Sequence, residues 1–497
     1  MGGASSVLVI GAGLAGCEAA LQCVRHGVPV RLCEMRPEKM TEAHQTGDVA
    51  ELVCSNSLKS DEPQNAHGLL KAELRILGSA LLECAERARI PGGKALVVDR
   101  KRFSAEVQAA LDQAGVEVVR EEVTALPEAT ILKPEGRDTL PLARSDRDII
   151  VIATGPLTSQ SMVDALTALL GSEQLFFYDA IAPIVAVESL DMSRVFAGSR
   201  HGASEDYLNC PMSEDEYNQF IDALITAELH PVRAWDTVPA PVVTGSGAQS
   251  KLSDNSVMSQ LIFFEGCLPI EEMARRGRMA PAFGPMKPVG LTDPRTGRQP
   301  FAVVQLRREN ADGTMYNLVG FQTRLRHGEQ ARVFRMIPGL EKAEFLRYGS
   351  MHRNTYLDGP KVLLPTLQTR SRLDLFITGQ LTGIEGYVES IGAGLVAGVN
   401  AARLAQGREP VGLPKETMMG SLLQYVAGET GPKGCSMTEV GGIAPRFQPM
   451  NANFGLLPPL KSRARGREKK RLLAERALGA VQSFAARIGF DFGRGQT

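Results

Sequence analysis

The fold is decided by the stretch Val7-Leu8-Val9-Ile10-Gly11-Ala12-Gly13-Leu14-Ala15-Gly16, which joins an apolar run to three closely spaced glycines. The next residues, Cys17 to Arg25, have a helical pattern, so this region predicts a strand, a tight turn and a helix. The first glycine allows the turn, the second lets backbone amides approach a pyrophosphate, and the third lets the helix pack on the strand. The N-terminus of the helix then faces the phosphate charge. We therefore expect residues 11–16 to bind a dinucleotide cofactor.

A second predicted strand, Pro29 to Cys33, ends at Glu34. An acidic residue about 20 positions after the glycines holds a ribose hydroxyl in dinucleotide-binding domains. The carboxylate favours a cofactor with a free ribose, such as FAD or NAD, over NADP. The alternative is a glycine-rich turn in an α/β domain that binds no cofactor.

Composition sets limits on the class of protein. The chain has 497 residues, which exceeds a single hydrophobic core and predicts two or three domains. No apolar run reaches the length of a membrane helix, so we expect no membrane partner. Eight cysteines occur without a C-x-x-C pair, which argues against a metal site or a dithiol redox motif. Reduced thiols then indicate a cytoplasmic protein.

Two similar apolar segments lie about 220 residues apart. Asp148 to Gly155 and Leu375 to Gly379 each have the pattern of a buried parallel strand that ends at glycine. They suggest one nucleotide-binding domain interrupted by an insertion. We expect a discontinuous Rossmann-type domain at 1–180 and 350–460, an α/β insertion domain at 181–349, and a basic helical C-terminal tail at 461–497.

Helical spacing of leucines predicts one helix from His67 to Ala88, and Phe103 to Ala114 predicts another. A short strand is expected at Val116 to Val119, and a glycine-rich helix at Gly392 to Gln406. The segment from Arg36 to Ala66 is rich in polar and turn-forming residues. It is expected to be a loop that crosses the cofactor face.

Seven sequence blocks together resemble the folate- and FAD-dependent tRNA (uracil-5-)-methyltransferase family, and they cover nearly the whole chain. The blocks are Cys54-Ser-Asn-Ser-Leu-Lys59, Tyr207-Leu-Asn-Cys-Pro-Met212, Phe264-Glu-Gly-Cys-Leu-Pro-Ile-Glu271, Phe283-Gly-Pro-Met-Lys-Pro-Val-Gly290, Met351-His-Arg-Asn-Thr355, Gly379-Gln-Leu-Thr-Gly-Ile-Glu-Gly-Tyr387 and Pro449-Met-Asn-Ala-Asn-Phe-Gly455. The loop 238–255 departs from the family pattern by its length.

The resemblance implies that the chain methylates C5 of the T-loop uridine of tRNA, position 54. Methylenetetrahydrofolate would supply the carbon, reduced FAD the hydride, and NAD(P)H the electrons for the flavin. A related family of larger flavoproteins modifies wobble uridines in tRNA, and that activity is the alternative. The Phe-Glu-Gly-Cys and Asn-Ala-Asn-Phe-Gly blocks favour the methyltransferase.

Uracil C5 is a poor nucleophile, and a thiolate that adds at C6 activates it. Four cysteines lie on predicted helices or strands and are expected to be core residues, namely Cys17, Cys23, Cys33 and Cys84. The other four lie in predicted loops, namely Cys54, Cys210, Cys267 and Cys435. The resemblance implies that Cys267 attacks C6 and that Cys54 assists as an acid or base or handles the methylene group. Sequence spacing leaves open which cysteine does which, because the two are 213 residues apart.

The resemblance also suggests roles for other residues. His352 would stack on a pterin, although a lone histidine is also common in a core. Lys287 would lower a thiol pKa or hold a folate carboxylate, unless it is an ordinary surface lysine. The turn with Gly379, Gln380 and Gly383 follows a strand end and would meet the flavin. Arg100 would lie nearby, with a capping salt bridge as the alternative.

A basic segment runs from Lys461 to Arg476, where eight Lys or Arg oppose Glu468 and Glu475. A solvated helix face is the ordinary explanation for such a run. With a tRNA substrate implied, it becomes a candidate phosphate-binding surface. The candidate residues are Arg463, Arg465, Arg467, Lys469, Lys470 and Arg471.

Overall fold

The fold is taken from a computed structural model that describes residues 6–127, 149–171, 175–200, 204–231, 263, 267–430, 447–461 and 464–489. The loop 238–255, Arg463 and Cys435 lie outside the described residues, so the expectations for them are not addressed by the structure.

A five-stranded parallel sheet contains the predicted strand at Val7–Ile10. Its strands are β1 (Val7–Ile10), β2 (Val30–Glu34), β6 (Val118–Arg120), β7 (Ile149–Ile152) and β16 (Leu375–Ile377), in the order β16-β7-β1-β2-β6. All four neighbouring pairs are parallel. Strands β1 and β7 are buried throughout, as expected for a sheet covered on both faces.

A six-stranded antiparallel sheet is formed by strands between residues 184 and 347. Its strands are β9 (Ile184–Ala186), β10 (Phe196–Ala197), β11 (Tyr207–Met212), β12 (Ala302–Arg308), β13 (Met315–Leu318) and β14 (Phe345–Arg347), in the order β10-β11-β12-β13-β9-β14. Two smaller sheets consist of β8 (Leu175–Ile181) with β15 (Ser350–Tyr356), and of β3 (Ser57–Ser60), β5 (Ala95–Val98) and β4 (Arg89–Ile90).

The helices cover both larger sheets. They are α1 (Leu14–Arg25), α2 (Ala66–Ile76), α3 (Ala80–Arg87), α4 (Arg100–Gln113), α5 (Gln160–Leu170), α6 (Glu214–Thr226), α7 (Ile270–Arg276), α8 (Ala280–Phe283), α9 (His327–Phe334), α10 (Gly359–Val362), α11 (Tyr387–Ala405), α12 (Met418–Val426) and α13 (Gly466–Ile488). None of these helices in the described part of the chain combines the length and apolar composition of a membrane span.

Helices α1 and α11 pack closely because the contact contains small residues. A Cβ atom added at Gly394 would lie 2.3 Å from the carbonyl oxygen of Ala15, and one added at Gly398 would lie 2.4 Å from that of Ala19. Both separations are far below van der Waals contact, so only glycine fits. This contact holds the N-terminus of α1 in place above the parallel sheet.

Each larger sheet has its own buried cluster. The cluster around the parallel sheet includes residues of α1, α2, α11 and α13. The cluster around the antiparallel sheet contains the rings of Tyr217, Phe220, Phe321 and Phe334. Full burial of one such side chain contributes roughly 1.5–3 kcal/mol, so each cluster stabilises its own layer of helices and strands.

Three local predictions were wrong. The single helix expected at 67–88 is two helices, because Gly78 has a φ of +67° and the Ser79 side chain caps α3. The expected loop 36–66 contains strand β3. Cys210, expected in a loop, lies in β11 and is fully buried.

Candidate active site

A cavity of about 370 Å³ lies where the parallel sheet, the loop with Cys54 and the antiparallel sheet meet. It brings together ten of the residues singled out in the sequence, which are Gly11, Gly13, Leu14, Ala15, Glu34, Cys54, Cys267, His352, Gly379 and Gln380. Five other candidates for cofactor or folate binding do not line it, namely Ala12, Gly16, Arg100, Lys287 and Gly383.

The three glycines of the first turn have different surroundings. A Cβ atom at Gly11, where φ is +102°, would lie 2.6 Å from the carbonyl oxygen of Ala153. A Cβ atom at Gly16 would lie 1.8 Å from the carbonyl oxygen of Gly11. At Gly13 it would meet nothing within 4 Å, and Gly13 lines the cavity. Gly11 and Gly16 are therefore required by the fold, whereas Gly13 leaves space for a ligand.

The N-terminus of α1 opens into this space. Leu14 and Ala15 line the cavity, and they belong to the first helical turn, whose amides have no acceptor within the helix. Such amides, together with the helix dipole, form an anion-binding site. The arrangement fits the pyrophosphate of a dinucleotide cofactor.

Glu34 lies at the end of β2 with its carboxylate held in place. Its Oε2 accepts a 2.8 Å hydrogen bond from the amide of Ala12, and its Oε1 accepts from the amide and Nε of Arg36 at 3.0 and 2.9 Å. Burial alone would raise the pKa of Glu34, but the hydrogen bonds and charge of Arg36 lower it below its ordinary value. The side chain is therefore an ionised acceptor at the cavity wall, suited to a ribose hydroxyl. The sequence pattern did not identify Arg36, which also pairs with Glu51 at 3.1 Å.

The turn after β16 borders the same cavity. Gly379 has a φ of +73°, which glycine tolerates, and the Gln380 amide donates to both oxygens of Glu385 at 2.9 Å. A Cβ atom at Gly383 would lie 2.5 Å from the Phe447 ring. Gly383 thus shapes the turn from behind and does not face the cavity.

Cys54 and Cys267 both line the cavity, although 213 residues separate them in the sequence. The Cys54 side chain is close enough to Cys267 to raise the pKa of its thiol. The Cys54 amide donates a 2.7 Å hydrogen bond to the Tyr387 hydroxyl, and the Cys54 Sγ lies 3.8 Å from the carbonyl oxygen of Ala180. The structure therefore brings together the two cysteines that the sequence singled out.

The Cys267 thiol has an unfavourable environment for ionisation. The nearby Cys54 side chain, burial and the charge of Asp179 together raise its pKa well above the ordinary value. Strand β8 carries Asp179, and a parallel bridge joins Tyr178 of that strand to Phe263, just before Cys267 in the sequence. At neutral pH Cys267 is a thiol, so its use as a nucleophile requires a nearby proton acceptor.

Arg100 supports the loop with Cys54 from outside the cavity. Its Nε pairs with Glu309 at 2.7 Å, and its guanidinium donates to the carbonyl oxygens of Leu52 and Cys54, the latter at 3.4 Å. The capping salt bridge considered as the alternative role for Arg100 is therefore present. Arg100 stabilises the conformation of the Cys54 loop.

Strand β12 holds the same loop from the antiparallel sheet. Arg307 donates from Nε to Asn56 Oδ1 at 2.9 Å and from its guanidinium to Ser55 Oγ at 2.8 Å. The Asn56 amide donates in turn to the carbonyl oxygen of Arg308 at 2.9 Å. These bonds tie the Cys54 loop, next to the cofactor turn, to the sheet beside Cys267.

His352 lies on β15 directly opposite Asp179 of β8. It is 5% exposed, and its Nδ1 is buried with no hydrogen-bond partner in the described part of the chain. Burial lowers the pKa of His352 below its ordinary value, while the charge of Asp179 acts in the opposite direction. The ring is neutral at physiological pH and can stack or accept a hydrogen bond.

A second cavity of about 540 Å³ adjoins the first. The two share His352, Met35, Thr41, Pro156 and Leu157 in their walls. The His352 ring therefore separates the cofactor turn from a larger space that is open to other ligands.

Lys287 and the C-terminal basic residues lie elsewhere. Lys287 is exposed and borders neither of these cavities. Helix α13 buries Leu473, Ala477 and Val481 against the first cluster. Its basic N-terminal part is exposed and consists of Arg465, Arg467, Lys469, Lys470 and Arg471.

Arg471 differs from the other basic residues of this helix. Its guanidinium pairs with Glu468 at 2.8 Å and also with Glu475, so its charge is largely compensated. The Lys470 ammonium lies 5.9 Å from the centroid of the Phe454 ring.

The sequence analysis did not identify Asp179 or Tyr387 as site residues. Tyr387 belongs to one of the seven blocks, so its position offered a signal. Asp179 had no comparable signal, because its proximity to Cys267 and its pairing with His352 are long-range. In the described part of the chain, no group of three or more His, Cys, Asp or Glu side chains is arranged to hold a metal ion.

Comparison with known proteins shows the family of the chain. A family model described as glucose inhibited division protein A matches residues 6–409. The methylenetetrahydrofolate--tRNA-(uracil-5-)-methyltransferase TrmFO of Moorella thermoacetica is 51% identical and is aligned over 95% of this chain and 96% of its own length. The TrmFO of Heliobacterium modesticaldum is 50% identical, over 97% of this chain and 98% of its own.

A solved structure of Aquifex aeolicus GidA has a similar fold, with a TM-score of 0.63 and 16% identity over 99% of this chain and 77% of that one. The α/β fold with a Rossmann-type parallel sheet is therefore confirmed. By the family model and by identity over nearly its full length, the chain belongs to the glucose inhibited division protein A family, within its methylenetetrahydrofolate--tRNA-(uracil-5-)-methyltransferase branch.

Proposed function

We propose that the protein methylates C5 of the T-loop uridine of tRNA, position 54, with methylenetetrahydrofolate as carbon donor, FAD as cofactor and NAD(P)H as reductant. One observation carries the proposal: the Gly13 turn, the thiol pair Cys54–Cys267 and the His352 ring all border one cavity. Relatives about 50% identical are named for this reaction.

FAD would be held by groups that the parallel sheet presents to the cavity. The amides at the start of α1 would bind the pyrophosphate, with Gly13 allowing the approach, and Glu34 would accept from a ribose hydroxyl. The turn with Gly379 and Gln380 would lie against the remainder of the cofactor. When bound and reduced, FAD supplies the hydride that completes the methyl group.

The thiol pair would carry out the covalent chemistry. Addition of Cys267 to uracil C6 makes C5 nucleophilic, and C5 then bonds to the methylene carbon of the folate. Cys54, close to Cys267, would hold or transfer a proton. The Tyr387 hydroxyl and Arg100 would keep the Cys54 loop in place during these steps.

The neutral His352 ring would stack on the pterin of the folate. Its position in the wall of both cavities supports this role, because the folate must reach the cofactor from the larger space. Lys287 is not proposed to touch the folate or a thiol, since it borders neither cavity.

We also propose that residues 1–180 and 350–460 form the FAD-binding domain, that 181–349 form an insertion domain, and that the basic face of α13 binds tRNA phosphates. Uncompensated charges in the described part of this face would come from Arg465, Arg467, Lys469 and Lys470. A tRNA substrate supports a cytoplasmic location for the protein.

The direct test is a methylation assay on a tRNA transcript that ends in nucleoside analysis. We expect 5-methyluridine at position 54 only when methylenetetrahydrofolate and NAD(P)H are both present. Product formation with wobble uridine as the modified position, or without folate, would refute the proposal. The Cys267→Ala variant is the matched control for a contaminating methylase.

A further inference from the structure

Asp179 lies at the centre of the thiol site although no sequence pattern marks it. It is 7% exposed, borders the 370 Å³ cavity and sits on β8 opposite His352. Its Oδ1 accepts a 2.9 Å hydrogen bond from the Ala180 amide, which fixes the carboxylate relative to the strand. The carboxylate and the Cys267 thiol line the same cavity, and the carboxylate raises the pKa of the thiol.

The other ionisable groups around Asp179 make it the natural proton acceptor. Cys54 and Cys267 face it from the loops, His352 faces it from β15, and Glu385 faces it from the segment before α11. Burial and the Asp179 charge raise the pKa of Glu385 well above its ordinary value, and both of its oxygens accept from the Gln380 amide at 2.9 Å. His352 is neutral but its Nδ1 makes no bond to Cys267 in the described structure. Among these groups Asp179 is the carboxylate that shares the cavity wall with Cys267 and acts on its thiol.

Two arginines act on the other thiol. Arg347 and Arg100 both lie close enough to Cys54 to interact with its charge. The Cys54 side of the pair thus lies near two guanidinium groups, of which Arg100 is paired with Glu309, and the Cys267 side lies near the Asp179 carboxylate. The two thiols have different electrostatic environments although they line one cavity.

We propose that Asp179 is the general base that takes the proton from the Cys267 thiol, a role that rests on the proposed function. As Cys267 Sγ bonds to uracil C6, the electron pair of the C5–C6 double bond moves toward C5 and O4, and the S–H proton moves to Asp179 Oδ. When the S–C6 bond breaks at the end of the cycle, the leaving thiolate takes the proton back. No external oxidant or reductant enters this step.

The proposal gives Asp179 two effects of opposite sign. As a nearby negative charge it keeps Cys267 protonated at rest, and as a base it accelerates the step in which the proton leaves. Replacement by the neutral isostere asparagine removes both effects. The Asp179→Asn variant should therefore have a more acidic Cys267 and a slower methylation. Because unfolding would also expose Cys267 and lower its pKa, the comparison requires that the variant keeps its FAD and its melting temperature.

The acidity of Cys267 is measured by its alkylation with iodoacetamide between pH 6 and 10, followed by mass spectrometry of the peptide that contains it. The measurement uses FAD-bound protein with Cys54→Ala, so that the second thiol does not react. We expect Asp179→Asn to move the midpoint about one pH unit lower, because a neighbouring negative charge is removed. At neutral pH the variant then alkylates faster, since the gain in thiolate outweighs its lower nucleophilicity.

Methylation is measured with Cys54 intact. We expect Asp179→Asn to lower kcat at least about 100-fold, the usual effect of losing a general base. Asp179→Glu keeps the charge, so it should keep the alkylation midpoint of the parent protein and recover part of kcat. Glu188→Gln, which removes one exposed charge after β9, is the matched control and should change neither measurement.

Three results would overturn the proposal. They are an unchanged alkylation midpoint in Asp179→Asn, an unchanged kcat in that variant, and equal kcat values for the Asn and Glu variants. If Asp179→Asn loses FAD or folds poorly, the Glu variant decides, because a Glu variant that binds FAD normally but has a kcat no higher than that of the Cys267→Ala control would overturn the proposal. Absence of methylation by the parent protein would refute the proposed function alone. The alkylation profiles would still test whether Asp179 raises the pKa of Cys267.

Discussion

Replacement of Gly13 by valine is expected to abolish cofactor binding while the protein stays folded. A Cβ atom at this position meets no protein atom within 4 Å, and the residue has a φ of −76°, which any L-amino acid adopts. Gly13 is the N-cap of α1, where a change to an apolar residue costs about 1 kcal/mol. The added side chain instead occupies the space next to the amides that would bind the pyrophosphate.

The expected loss of affinity follows from those amides. Hydrogen bonds to a charged group contribute about 1.5–3 kcal/mol each. Loss of two such bonds weakens binding by about 3–6 kcal/mol, or roughly 10²- to 10⁴-fold in Kd. Gly13→Val should therefore purify without yellow colour, and Gly13→Ala should bind FAD with intermediate affinity in a fluorescence titration.

Two comparisons make the measurement specific. Gly16→Ala should lower the melting temperature of the cofactor-free protein, because its Cβ atom would lie 1.8 Å from the Gly11 carbonyl oxygen. Gly479→Ala, at an open position of α13, should leave both cofactor binding and folding intact. The reasoning would be refuted if Gly13→Val kept its flavin, or if its melting temperature without cofactor fell as far as that of Gly16→Ala.

Three further predictions concern catalysis, tRNA binding and pH. Cys267→Ala should form no denaturation-resistant complex with tRNA that contains 5-fluorouridine at position 54 and should keep its flavin spectrum; a complex lost only in Cys54→Ala would exchange the two roles. Neutralising the exposed basic residues of α13 should weaken tRNA affinity and reduce the slope of log K against log salt by about 0.9 per phosphate contact. Arg471→Gln alone should have little effect, because that charge is already paired. An unchanged slope would mean that the helix does not touch tRNA. Burial raises the pKa of Glu73 from 4.5 to about 8, although the amides of Met418 and Met419 act to lower it. The protonated Glu73 side chain therefore contributes its full stabilisation of the fold below pH 4.5, and this stabilisation is lost as the pH rises through 8. Glu73→Gln should flatten this part of the stability profile in chemical denaturation, and an unaltered slope between pH 5 and 8 would count against the assignment. The residues neutralised in α13 are Arg465, Arg467, Lys469 and Lys470.

The sequence by itself determined the features that depend on neighbouring residues. The strand Val7–Ile10, the glycine turn and helix α1 are local, because each requires only a particular order of residue types within about 20 positions. The same holds for Glu34 at the end of β2 and for the strand Leu375–Ile377. The break at Gly78–Ser79 was also readable, since glycine and an N-capping serine are boundary signals that the leucine pattern outweighed.

Tertiary structure alone decided the chemistry of the site. The proximity of Cys54 and Cys267 spans 213 residues, and the pairing of Asp179 with His352 depends on the register of β8 and β15, which no local pattern fixes. The exclusion of Lys287 from the cavity likewise depends on how the antiparallel sheet packs. The physical reason is that local sequence sets backbone conformation, whereas burial, charge and pKa depend on which distant side chains the folded chain places around a group.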